Sequence, residues 1–132
     1  MVNRKKIESS DAPKAIGPYS QAIAMGNIVY LSGQIPLDPK TMKLVQGEEA
    51  QIKQVFKNLE AVCKAADSTF DDIVKINIYL KDLAIYPLVN EIMTLLFKEP
   101  YPARAAIEVS KLPLDALIEV EGVIIKDSTY SF

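Results

Sequence analysis

The nearly continuous apolar run at residues 117–125 constrains the fold more than any other feature of this sequence. Side chains alternate between the two faces of a strand, so a run that is apolar at odd and even positions needs a cover on both faces. One set is Leu117, Val123 and Ile125, and the other is Ile118, Val120 and Ile124. Since two helices cover only one face of a small sheet, we expect a second copy of the chain on the other face, with loops of the same chain as the alternative.

The spacing of apolar residues elsewhere predicts two helices. From Glu48 onward they recur every three or four positions as far as Ala66, which is the pattern of an amphipathic helix. Pro87 suits the first turn of a second helix, which should end before Pro100. The predicted buried residues are Ile52, Val55, Phe56, Leu59, Val62, Cys63 and Ala66 in the first helix, and Leu88, Ile92, Leu95 and Leu96 in the second.

Extended segments predict the remaining strands of one mixed sheet. Besides residues 117–125, they are Ser20 to Ala24, Ile28 to Leu31, Ile73 to Leu80 and Ala103 to Val109. Within the third of these segments, Val74, Ile76, Ile78 and Leu80 should share the buried face. The order of elements predicts one domain over residues 1–132, of the α+β or two-layer α/β class, with a mixed five- to six-stranded sheet and two helices on one face.

Composition excludes several kinds of chemistry. The chain has no histidine and one cysteine, which removes Ser-His and Cys-His nucleophile pairs, a disulfide within the chain and the commonest metal ligand. The 15 basic and 17 acidic residues give a net charge of -2, which favours neither nucleic acid nor an anionic membrane as a partner. We find no secretory signal and no membrane-spanning run, so the sequence predicts a cytoplasmic protein without a metal.

Arg104 is the main candidate for binding an anion. It stands in a small apolar strand, and strand alternation puts it on one face with Ala106 and Glu108. A guanidinium that is withdrawn from water needs an anion beside it, and its planar fork matches a carboxylate. The residues leave two interpretations equally open: a carboxylate of a ligand, or a structural pair with a glutamate of the chain.

Glu119 and Glu121 are candidates for proton transfer. They are two residues apart in the last strand, so both point to one face among aliphatic neighbours. If that face is buried, desolvation raises the pKa of at least one of them toward the working range of an acid or base. If the face lies at the sheet edge, the pair is an ordinary solvated stripe, which is the simpler interpretation.

Two segments before the first helix carry weaker signals. A glycine-proline turn presents Tyr19 on a rigid loop, and Gly33, directly after Ser32, permits close backbone approach to a ligand. Turn formation alone explains both segments. Cys63 lies on the apolar helix stripe and is assigned no function.

Six segments of the chain together resemble one protein family. They are Ile16-Gly17-Pro18-Tyr19-Ser20-Gln21-Ala22, Leu31-Ser32-Gly33-Gln34-Ile35-Pro36, Asp71-Asp72-Ile73-Val74-Lys75, Val89-Asn90-Glu91, Pro100-Tyr101-Pro102-Ala103-Arg104 and Ile118-Glu119-Val120-Glu121. In order and spacing, over about residues 4–126, they resemble the RidA (YjgF/YER057c/UK114) family of reactive-intermediate deaminases.

This resemblance implies a chorismate-mutase-like fold that assembles as a homotrimeric pseudo-barrel with three clefts between subunits. It implies a hydrolase, a 2-iminobutanoate/2-iminopropanoate deaminase, which converts enamines and imines such as 2-aminoacrylate to 2-oxo acids and ammonia without a cofactor. A non-catalytic module that binds small carboxylates in the same clefts is the alternative. RNA cleavage, which has been linked to family members, ranks third because the chain is acidic and lacks histidine.

The resemblance also implies roles for individual residues. Arg104 matches the arginine that clamps the substrate carboxylate, and Glu119 matches the acidic residue that handles protons or orients water. The other cleft positions that it implies are Tyr19, Ser32, Gly33, Tyr86, Asn90 and Ala106. Many relatives carry cysteine at the position of Ala106, so thiol chemistry there is not expected in this chain. Met93 stands where an aromatic residue is common.

Overall fold

Residues 3–132, which a computed structural model describes, form a six-stranded mixed sheet and two α-helices. The strands are β1 (Lys5–Ile7), β2 (Ala22–Met25), β3 (Ile28–Gln34), β4 (Ile73–Leu80), β5 (Ala103–Glu108) and β6 (Ile118–Ile125), and the helices are α1 (Glu48–Ala65) and α2 (Tyr86–Leu96). The strand order is β1-β2-β3-β6-β4-β5; β4 and β5 are parallel, and the other neighbours are antiparallel. The predicted α+β class with a mixed sheet is confirmed.

Both helices pack on one face of the sheet and bury the apolar core there. Every residue of the predicted stripe from Ile52 to Ala66, which α1 and the residue after it carry, is buried. The even-numbered apolar positions of β6, which are Ile118, Val120 and Ile124, are fully buried as well. Burial raises the pKa of the Cys63 thiol to about 12, so this cysteine behaves as an inert apolar side chain. Within residues 3–132, neither helix combines the length and apolar character that crossing a membrane requires.

The opposite face of the sheet carries no helix and stays partly apolar. Ile125 on β6 is 42% exposed, and Tyr30, which pairs with Val123 across the β3-β6 ladder, is 56% exposed. Ile107 on β5 belongs to the same face and is 50% exposed. Val123 and Ile125 lie on this face as predicted, whereas Leu117, predicted to lie with them, precedes β6 and packs against the core. The loops of residues 3–132 leave Tyr30, Ile107 and Ile125 exposed.

The predicted buried face of β4 is wrong at its start. Ile73 is buried and Val74 is 42% exposed, whereas the alternation predicted the reverse. The cause is an irregularity in the ladder with β6, which shifts register between Ile73 and Lys75. Beyond this irregularity the predicted alternation holds, and Ile76, Ile78 and Leu80 are fully buried.

Helix α2 is rotated relative to the prediction. Its buried residues are Val89, Ile92 and Met93, whereas Leu95 is 78% exposed and Leu96 is 41% exposed. Apolar residues surround most of this short helix, so the hydrophobic pattern does not define which side faces the sheet. Contacts between α2 and β5, described below, set that side.

Candidate active site

Arg104 lies on the helix-covered face of the sheet, in the edge strand β5. Its backbone pairs with the buried Ile76 of β4, and its side chain reaches α2. There Nη1 donates to Asn90 Oδ1 at 2.7 Å and contacts Met93 Sδ at 3.5 Å, while Nη2 donates to the Tyr86 hydroxyl. Tyr86, Asn90 and Met93 are spaced four and three residues apart along α2. They therefore lie on one side of the helix and face the guanidinium.

All of these partners of Arg104 are neutral. Among residues 3–132, no carboxylate oxygen lies within 4.0 Å of the guanidinium, and the carboxylate of Glu108, on the same face, accepts from the backbone N–H of Leu83. The interpretation of Arg104 as one half of a structural pair within the chain therefore does not hold. In that same part of the chain, Nε–H has no acceptor. The positive charge of the half-buried guanidinium is therefore not neutralised, and its Nε–H side is available to an anion.

A cavity of about 390 Å³ opens beside Arg104. Asn90, Met93, Thr94 and the Tyr101-Pro102 segment form its walls. Tyr101 and Thr94 are site residues that the sequence reasoning missed. The signal for Tyr101 is its place before Pro102, since a residue before proline is held in extended geometry and its side chain is therefore presented in a fixed direction.

Glu119 lies on the other face of the sheet, the one without helices. In β6 it pairs with Tyr79 of β4, and β6 is an inner strand between β3 and β4. The interpretation of Glu119 and Glu121 as a solvated pair at the sheet edge is therefore excluded. The carboxylate packs against the backbone of Gly33, where a Cβ atom would collide with it. Glu119, Gly33 and Tyr19 together line a second cavity of about 290 Å³. The structure thus unites three of the predicted site residues.

The pKa of Glu119 is raised above its ordinary value, first by burial and then by the negative charge of Glu121. Glu121 in turn accepts a hydrogen bond of 2.8 Å from the Tyr79 hydroxyl, and this bond raises the pKa of Tyr79. This direction agrees with the expectation that burial raises the pKa of one carboxyl of this pair. Glu119 therefore retains a proton to a higher pH than a free glutamate, which is the direction that favours a role as a proton donor.

Ser32 fixes the loop that carries Tyr19. Its hydroxyl donates to the Ser20 carbonyl, and its N–H donates to the Gln21 carbonyl at 3.0 Å. These bonds take the place of a regular ladder, so β2 begins at Ala22 rather than at Ser20 as predicted. A contact between Ser32 and a substrate stays a prediction.

The two groups of candidate residues do not meet within one chain. We call Arg104, Tyr86, Asn90 and Ala106 the arginine half-site, and Glu119, Gly33, Tyr19 and Ser32 the glutamate half-site. Strand β4 lies between the strands of Arg104 and Glu119, so two inter-strand spacings and three register positions separate them, on the order of 10 Å in each direction. The two side chains leave opposite faces of the sheet. A site that contains both side chains must draw them from two chains.

A Gly33→Ala substitution is expected to displace the Glu119 carboxylate while the fold persists. The added Cβ would occupy the space of that carboxylate, which is the mobile end of a flexible side chain, and Gly33 does not have a positive φ that would strain an alanine. The pKa of Glu119, followed by NMR titration of the carboxyl carbon, should fall toward its ordinary value. Gly17→Ala is the matched control, since its Cβ meets Tyr19 at an ordinary 3.5 Å. An unchanged Glu119 pKa in Gly33→Ala would contradict the described packing.

Fold and site together define a small α+β protein with an unneutralised arginine and a half-buried glutamate on opposite faces of one sheet. The family model described as Endoribonuclease L-PSP matches residues 9–126. The chain is 40% identical over 128 residues to the 2-iminobutanoate/2-iminopropanoate deaminase of Dermatophagoides farinae, with 95% of this chain and 98% of that protein covered. It is 45% identical over 125 residues to a RutC family protein of Pyrococcus horikoshii, with 94% and 99% covered.

Solved structures agree with these sequence relationships. RidA from the Antarctic bacterium Psychrobacter sp. superimposes with a TM-score of 0.90 at 44% identity, covering 92% of this chain and 99% of that one. TdcF of E. coli with bound serine gives a TM-score of 0.89 at 34% identity, covering 93% and 99%. The chain belongs to the RidA family, as the resemblance of its segments implied.

Proposed function

We propose that this protein hydrolyses 2-imino acids and their enamine tautomers, such as 2-aminoacrylate, to 2-oxo acids and ammonia. The observation that carries this proposal is the half-buried guanidinium of Arg104, which has neutral partners and a cavity beside it. A 2-imino acid brings the carboxylate that such a guanidinium requires. The relative from D. farinae, named as a deaminase of this kind, supports the proposal.

The proposed site lies between subunits of a homotrimer. The helix-free face of the sheet is partly apolar and uncovered, with Tyr30, Ile107 and Ile125 exposed, and β5 is an edge strand. Exposed apolar surface of this kind favours association with another copy. In a threefold arrangement each subunit presents one surface to the next and a different surface to the previous one. The arginine half-site of one subunit would then face the glutamate half-site of its neighbour, giving three equivalent sites.

In the proposed mechanism Arg104 binds the substrate carboxylate and Glu119 handles the protons. Protonated Glu119 donates to the enamine carbon, which gives the iminium ion and leaves a carboxylate on Glu119. That carboxylate takes a proton from water as the water oxygen bonds to the iminium carbon, which gives a carbinolamine and protonated Glu119. Glu119 then donates this proton to the amino nitrogen, and the C–N bond breaks. Ammonia leaves as the hydroxyl of the carbinolamine forms the C=O bond and returns its proton to Glu119, so the 2-oxo acid remains and Glu119 is protonated again. The imine is already labile, so a positioned water and one acid-base group suffice, without a covalent nucleophile.

A coupled assay tests this function directly. A dehydratase generates 2-aminoacrylate from serine, and pyruvate is followed with lactate dehydrogenase while semicarbazide competes for the imine. The protein should accelerate pyruvate formation in proportion to its concentration. Saturable binding of 2-oxo acids by calorimetry without any acceleration would instead establish a non-catalytic carboxylate-binding module.

A further inference from the structure

Tyr86 contacts the guanidinium of Arg104 in two ways. Its hydroxyl accepts a hydrogen bond from Nη2, and its ring centroid lies 5.1 Å from Cζ, within the range of a cation–π interaction. Tyr86 is the first residue of α2, with helical backbone angles, and its side chain packs against the core. The phenol is therefore directed at the arginine by the fold itself.

Asn90, one turn further along α2, holds the other terminal nitrogen. The 2.7 Å bond from Nη1 to Asn90 Oδ1 and the bond from Nη2 to Tyr86 define the plane of the guanidinium. Among the described residues, Nε–H has no acceptor. Nη2 carries two hydrogens and makes one bond among these residues, so Nε–H and one Nη2 hydrogen remain as the two donors that a bidentate bond needs.

The chemical nature of these two acceptors is important for binding an anion. A phenol and a primary amide each orient a guanidinium without cancelling its charge, whereas a carboxylate would neutralise it and compete with a ligand. Orientation matters because a bidentate bond to a carboxylate requires the fork to lie in the plane of that carboxylate. An arginine held in advance also loses less conformational entropy when the anion arrives.

We propose that Tyr86 is a positioning residue, which holds Arg104 in one plane with its charge and its Nε–H available to the substrate carboxylate. The inference rests on the proposed function, and it differs from the role of a cleft wall in contact with substrate that the family resemblance implies for this position. Tyr86 acts through Arg104, with Asn90 as the second neutral acceptor.

Two substitutions separate orientation from charge. Tyr86→Phe keeps the ring and removes the hydroxyl, and Asn90→Asp keeps an acceptor oxygen and adds a negative charge. Matched controls are Tyr130→Phe and Asn3→Asp, which make the same chemical changes outside both half-sites. The full chain is titrated by calorimetry with 2-oxobutanoate and with its neutral amide, and kcat and KM are measured in the coupled assay.

Tyr86→Phe should weaken 2-oxobutanoate binding about 5- to 20-fold, through loss of a hydrogen bond to a charged group, and raise KM by a similar factor with little change in kcat. Asn90→Asp should weaken 2-oxobutanoate binding about 100-fold and affect the amide much less. The ratio of the two affinities is internal to each variant, so a reduced folded fraction does not alter it. Wild-type affinities in Tyr86→Phe, or failure of the wild type to bind 2-oxobutanoate, would overturn the inference. A third outcome is that the wild type binds 2-oxobutanoate but does not hydrolyse the imine, while the variants show the expected losses of affinity. That outcome would overturn the deaminase function and support the positioning role of Tyr86.

Discussion

Replacing Arg104 by lysine is expected to lower kcat/KM for imine hydrolysis by at least about 100-fold, and replacing it by alanine by about 1,000-fold. Lysine keeps the positive charge but is a point charge, which cannot form a two-bond fork with the substrate carboxylate. Its single nitrogen also does not reproduce the two separate terminal nitrogens that bond to Asn90 and Tyr86. The measurement is steady-state kinetics with 2-aminoacrylate, together with calorimetric titration of 2-oxobutanoate.

The fold should survive both substitutions of Arg104. The residue lies in an edge strand, half-buried, without a charged partner among the described residues, so removing it leaves no buried carboxylate unpaired. The free energy of unfolding in urea is therefore expected to stay equal or to rise slightly. Wild-type kcat/KM in a folded Arg104→Lys variant would remove the carboxylate-binding role.

Replacing Glu119 by glutamine is expected to have the second large effect, a loss of about 100- to 10,000-fold in kcat, the range of general acid-base catalysis. Glutamine has nearly the same shape and can still contact Gly33, but it neither gives nor takes a proton. Binding of 2-oxobutanoate should change little, because Arg104, the proposed ligand of the carboxylate, is unchanged. A variant with wild-type kcat would show that Glu119 only shapes the cavity.

The same substitution should stabilise the protein at neutral pH. The pKa of Glu119 is higher in the folded chain than in the unfolded chain, since burial and the charge of Glu121 both raise it. Between the ordinary pKa and the raised one, the folded state therefore binds more protons, and stability falls as pH rises through that window. Glu119→Gln lacks this loss, so its advantage in unfolding free energy should appear across the window and persist at higher pH.

Glu121→Gln is the matched variant for this pH effect. It removes the second cause of the raised Glu119 pKa while the first, burial, remains. The limb of the pH profile of kcat/KM that reports Glu119 should shift to lower pH, with a smaller loss of rate than in Glu119→Gln. An unchanged profile would mean that the two carboxylates are not coupled.

Local patterns in the sequence predicted those parts of the fold that local physics decides. Strand alternation alone places Ile118, Val120 and Ile124 on one face and Glu119 on the other, because the period of a strand is fixed by backbone geometry. The structure shows that the helices cover the first of these faces. Local patterns do not predict irregularities in strand pairing. Val74 lies on the unexpected face because the register shifts relative to β6, a strand about fifty residues away in the sequence.

The partners of Arg104 depend on packing that the sequence does not display. The apolar pattern of α2 does not decide which side of the helix faces β5. The sequence alone therefore does not predict that Tyr86 and Asn90 contact the guanidinium. The separation of Arg104 from Glu119 likewise follows from the strand order β6-β4-β5 and its register, which are set by the whole sheet. Family resemblance named these residues, and only the structure divides them into two half-sites.

Subunit mixing tests most directly whether the site is built from two chains. Arg104→Ala and Glu119→Gln chains, each nearly inactive alone, are unfolded together in equal amounts and refolded, with wild type and each variant refolded separately as references. If every site takes Arg104 from one subunit and Glu119 from the next, random assembly restores about one quarter of the sites, and the mixture should recover about 25% of wild-type activity. Activity no greater than the mean of the two separate variants, in oligomers shown by mass to contain both chains, would contradict a site shared between subunits.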